Sequence, residues 1–86
     1  MIVTPEQASL IRTELLDYVI GNNLYSGAEQ LILDLFRTLI TKDNEISHIT
    51  FSKLRPKLTK EALVILNNIL EYPYPTGIEQ WAKKTF

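Results

Sequence analysis

Residues 26–41 read Ser-Gly-Ala-Glu-Gln-Leu-Ile-Leu-Asp-Leu-Phe-Arg-Thr-Leu-Ile-Thr, and their periodicity decides the fold class. Ala28, Leu31, Ile32, Leu35, Phe36 and Leu39 recur at spacings of three and four, the signature of a helix with one buried face. Ser26-Gly27-Ala28-Glu29 has the form of a capping box, so the helix is expected to start there and to run to about Thr41. Leu33 and Ile40 widen the apolar arc and leave only a narrow polar stripe of Gln30, Asp34, Thr41 and Arg37 or Thr38. A helix so broadly apolar is expected to be central, with neighbours on more than one side.

Upstream, Thr4-Pro5-Glu6-Gln7 is a second start signal. Thr4 is the cap, Pro5 has its φ preset for the first turn, Glu6 meets the positive helix end, and Gln7 closes the box. Ala8, Ile11, Leu15, Val19, Leu16 and Ile20 then define a buried side over about residues 5–21, ended by Gly21-Asn22-Asn23. Downstream of the central helix, Lys42-Asp43-Asn44-Glu45 reads as a turn. Residues 47–54 fit either a short strand or a short helix capped by Ser47. The helix is favoured because a lone strand would leave its backbone groups unpaired. Pro56 is expected to push Arg55 out of helical geometry and end that element. Thr59 caps a further helix over about 60–71, with Ala62, Leu63, Ile65, Leu66, Ile69 and Leu70 inward and Lys60, Glu61, Asn67, Asn68 and Glu71 wet. Tyr72-Pro73-Tyr74-Pro75 is a stiff connector. Thr76-Gly77-Ile78-Glu79 is a third capping box, opening a last short helix with Ile78, Trp81 and Ala82 inward. The expected architecture is therefore all-α: one domain over residues 1–86, a compact bundle of four main helices plus a short one, with the helices over about 26–41 and 60–71 supplying most of the core.

Composition narrows the function. The chain has 86 residues, no cysteine and one histidine, His48. That composition removes disulfides, thiolate chemistry and multi-histidine metal sites. Placing Ile49 at the eighth position of a calcium loop puts Lys42 and Lys53 where carboxylates are required. Gly21, Gly27 and Gly77 stand singly at helix ends and form no phosphate loop. Ser47 and Ser52 flank His48 without an acid to orient the imidazole, so no catalytic residue, cofactor or metal is expected. The start of the chain lacks the pattern of a signal peptide and no apolar run is long enough for a membrane span, which predicts a cytoplasmic protein.

Net charge is −1, but residues 1–45 carry seven acidic and three basic side chains, whereas residues 46–86 carry three acidic and six basic ones. This polarity suits an oriented approach to a partner, or pairing of two copies as a homo-oligomer. A chain this short buries only about 60–65% of its unfolded surface, so its core is marginal unless it is packed well or shared with a partner, identical or different. The absence of a net basic footprint argues against generic nucleic-acid binding.

Two features remain. Leu58-Thr-Lys-Glu-Ala-Leu-Val-Ile-Leu66, followed by Pro75-Thr-Gly-Ile-Glu-Gln-Trp-Ala-Lys-Lys84, resembles the first half of the DNA-binding region of a winged-helix repressor. In that pattern a helix leads through a proline-containing turn to a second helix that buries an aliphatic residue and an alanine, here Ile78 and Ala82. The resemblance implies a DNA-associated regulator with a partial helix-turn-helix over residues 58–86. The second feature is aromatic: Tyr72 and Tyr74 on the proline connector, then Trp81 and Phe86, with Lys53, Arg55 and Lys57 as the neighbouring basic set. Rigid rings beside cations are what protein interfaces favour. The leading expectation is a small non-catalytic protein-binding module, such as an adaptor, an inhibitor or an immunity-type protein, using these seven residues.

Overall fold

The first helix begins where the sequence places it. In the computed structural model, which describes residues 1–71, Thr4 accepts a hydrogen bond from the Gln7 backbone at 3.1 Å while the Gln7 side chain accepts one from the Thr4 backbone at 2.9 Å. Helix α1 covers residues 5–21 and changes pitch along its length. It is α-helical over Pro5–Leu10, π-helical over Ile11–Leu15 and α-helical again over Leu16–Gly21. Thr13 Oγ1 donates to the Ser9 carbonyl at 2.7 Å, an extra bond where the widened turn disturbs the regular ladder. Asn23, with φ +53, turns the chain away.

Helix α2 spans Glu29–Leu39, α3 spans His48–Leu54 followed by a 3-10 turn over Arg55–Lys57, and α4 spans Lys60–Ile69. The all-α class holds: the described residues form four helices and no named strand, only three isolated bridges. The short element after the turn is helical, with Ser47 Oγ accepting from the Thr50 backbone as its cap. The expected last helix, from Thr76 onward, lies outside the described residues.

Helix α1 packs on α4 through its π-helical turn and on α2 through that same turn and Leu16–Gly21, while α2 also packs on α3. The central position expected for α2 is thus shared with α1. The core follows suit. Ala8, Ile11, Leu15 and Val19 of α1 are buried alongside Ile32, Leu35, Phe36 and Leu39 of α2, Phe51 and Leu54 of α3, and Ala62, Leu63 and Leu66 of α4. This corrects the expectation that the helices over about residues 26–41 and 60–71 supply most of it.

Other corrections have local causes. The Ser26 capping box does not form: α2 starts from Ala28, which supplies no side-chain cap. Gly27 has φ +91, incompatible with a first helical residue, and the Ser26 backbone N–H is committed to the Lys57 carbonyl at 2.8 Å. Helix α2 stops at Leu39 because Ile40 is extended and pairs with Ile46, and the same tight turn takes Met1–Val3 alongside residues 44–46. Ala28 and Leu31 are exposed and Leu33 is half-buried, since residues 32, 35, 36 and 39 take the inward stripe. On α3, Phe51 is inward and Ile49 outward. Arg55 keeps helical angles, φ −49 and ψ −50, because Pro56 opens a 3-10 turn in which its missing N–H is not required. Asn67, four residues from Leu63, is buried rather than wet. Helix α4 ends at Ile69, with Glu71 left-handed at φ +59.

Candidate partner-binding surface

The basic set named from the sequence lies on one stretch of chain. Lys53 is exposed on α3, and Arg55 and Lys57 are half-buried in the 3-10 turn. Lys57 reaches back over the loop before α2: its Nζ lies 3.6 Å from where a side chain at Gly27 would begin. None of the three forms an ion pair with a described carboxylate. Tyr72, Tyr74, Trp81 and Phe86 lie outside the described residues.

Helix α1 supplies a surface that the sequence reading did not single out. Its residues form three rows at i, i+4 spacing. Ile11, Leu15 and Val19 are the buried row. Leu10, Glu14 and Tyr18 lie to one side, toward α4, and Arg12 and Leu16 lie to the other, toward α2. A π-helical turn rotates less per residue than an α-helical one, so it slows the drift of these rows around the axis. The available signal was Leu10 and Tyr18, apolar residues outside the buried arc.

Between α1 and α4 is a groove of about 390 Å³ lined by Leu10, Glu14, Leu15, Tyr18, Ile65 and Ile69. Leu10 and Tyr18 are 36% and 43% exposed, two large apolar side chains on one wall. Across the groove the Tyr18 hydroxyl donates to Glu61 Oε1 at 3.2 Å. The Glu61 charge, its acceptance of that bond and a little burial together raise the Tyr18 phenol above its ordinary value of 10.0. The charged side chains at this tyrosine groove, Glu14 and Glu61, are therefore both acidic.

Between α1 and α2 is a second groove, of about 310 Å³, lined by Arg12, Leu16, Leu33, Phe36 and Arg37. Arg12 donates to the Ile40 carbonyl at the end of α2, at 3.2 Å. Arg37 pairs with Asp34 at 3.6 Å on the open surface, where such a pair contributes little. Both grooves fall at the small end of ligand sites, about 300–1,000 Å³, and suit one or two side chains better than a nucleotide-sized cofactor.

Among the described residues no group of three or more His, Asp or Glu is placed to hold a metal ion, and no helix is long and apolar enough to cross a membrane. Comparison with protein-family models, with curated proteins and with solved structures found no match to this chain.

Proposed function

We propose that this chain is a cytoplasmic, non-catalytic protein-binding module that acts by occupying a partner's surface. The observation that carries the reading is the tyrosine groove: a concave apolar strip between two helices, with Leu10 and Tyr18 left exposed on its wall. Exposed rings and aliphatic side chains around a shallow depression are where interface energy concentrates. With Glu14 and Glu61 as the local charges, the fitting partner segment presents an apolar side chain next to Lys or Arg. In this reading Tyr72, Tyr74, Trp81 and Phe86, which lie outside the described residues, also contact the partner. Lys53, Arg55 and Lys57 meet acidic groups of the same partner.

The test is titration calorimetry of the full chain with an amphipathic Leu/Lys peptide. Saturable binding is expected, weakened by about tenfold or more in Tyr18→Ala, with the melting temperature nearly unchanged because Tyr18 is a surface residue. No saturable binding, or the same affinity in Leu10→Ala and Tyr18→Ala, would overturn the proposal. Light scattering addresses the homo-oligomer: self-association abolished by Tyr18→Ala would give the groove to a second copy instead.

A further inference from the structure

From the arginine groove we infer a second docking site, for an acidic segment of a partner protein that inserts an apolar side chain between α1 and α2. The floor and the mouth point to this occupant by different routes. Leu16, Leu33 and Phe36 give the groove an apolar floor that can take up a ring or a branched aliphatic group. Arg12 and Arg37 are its two charged lining residues, and both are cationic.

The arginines are held differently. Arg12 is steadied by the Ile40 carbonyl, a neutral partner, and no described carboxylate lies within ion-pair distance of it. Its charge is thus left for a ligand, and a guanidinium has donors to spare after one bond. Arg37 has only the solvated pairing with Asp34, its side chain 74% exposed, and can swing to an incoming carboxylate at little cost. Two guanidiniums beside an apolar floor complement a Glu or Asp flanking a Phe, Leu or Ile. This inference does not depend on the tyrosine groove, which has the opposite charge and a different outer wall.

The experiment is fluorescence polarisation with the full chain and three probes: a labelled Glu/Phe peptide, an all-Glu peptide of the same length, and inorganic phosphate as a competitor. The Glu/Phe peptide is expected to bind saturably and more weakly as salt rises. The all-Glu peptide is expected to bind about tenfold or more weakly because it leaves the floor empty. Arg37→Glu is expected to cost about tenfold or more, while Arg37→Lys, which keeps the charge but not the planar fork, is expected to cost less than Arg37→Glu. Tyr18→Ala is expected to leave this binding unchanged, which separates the result from the test of the tyrosine groove. Equal melting curves for Arg37→Glu and the parent protein guard against a folding artefact. The inference fails if the Glu/Phe peptide does not saturate, if Arg37→Glu binds it as well as the parent does, or if the all-Glu peptide or phosphate matches it. The last outcome would reduce the groove to plain anion attraction.

Discussion

The two grooves beside α1 share a helix and differ in almost everything that faces solvent. On the α4 side the groups facing solvent are a leucine, a tyrosine and carboxylates; on the α2 side they are two guanidiniums beside the half-buried Leu16 and Leu33, with Phe36 buried beneath. Between them on α1 runs the buried row Ile11, Leu15 and Val19, of which Leu15 also lines the α4 side. One helix can therefore carry two recognition chemistries, because adjacent i, i+4 rows point to different neighbours. The floors belong to stability and the walls to binding, so substitutions should separate cleanly between them.

The largest test of that separation is Phe36→Ala. Phe36 is fully buried at the floor of the arginine groove, and truncation should cost about 3–5 kcal/mol in urea unfolding. The wall change Leu10→Ala, at the tyrosine groove, should stay within about 0.5 kcal/mol. A Phe36→Ala loss below about 1 kcal/mol would mean that the floor is loosely packed and that the division of floor from wall is false.

A smaller effect distinguishes the outer walls. Helix α4 is capped, Thr59 Oγ1 accepting from the Ala62 backbone at 3.3 Å, whereas α2 begins at Ala28 with no side-chain acceptor. Thr59→Ala should therefore destabilise by about 0.5–2 kcal/mol, and Ala28→Asp should stabilise by about 0.5–1 kcal/mol by supplying the missing acceptor to an exposed helix end. Chemical denaturation of the two variants side by side checks both signs. A destabilising Ala28→Asp would show that the loop tied to Lys57 leaves no room for a cap.

The same contrast explains what was legible in the sequence. Thr4, Ser47 and Thr59 announced their helices because a cap needs only local geometry, and the inward stripes of α1 and α2 followed from period alone. Ser26 misled for a reason that is not local: its backbone is held by Lys57, thirty-one residues away, and the left-handed Gly27 that follows postpones the helix. The shortened end of α2 has the same origin, since Ile40 answers to Ile46 rather than to its own helix. Pairing outside the helix overrides its own local signal in both places, across thirty-one residues at Ser26 and six at Ile40. The grooves escaped notice because a groove belongs to two helices. Nothing in α1 alone tells which neighbour each row will meet.

The finest prediction concerns the side-chain hydrogen bond across the tyrosine groove, from Tyr18 to Glu61. Ionising the phenol would place a second negative charge beside Glu61 and forfeit the donor, so Tyr18 titrates above 10.0. Because the folded-state value is raised, any stabilisation from this pair is complete below the ordinary phenol value and is lost as pH climbs through the raised one. Ultraviolet absorbance titration of the parent protein minus Tyr18→Phe isolates this residue among the four tyrosines. Glu61→Gln should bring the midpoint back toward 10.0, since the Glu61 charge is the main cause of the shift. Because Tyr18 is well exposed, water and salt screen the interaction, and added salt should lower the parent's midpoint in the same direction as the Gln variant. A midpoint unmoved by either change would mean that Tyr18 does not lean across to α4 in solution. The acidic side of the groove would then be Glu14 alone, and the preference for a basic partner segment would weaken accordingly.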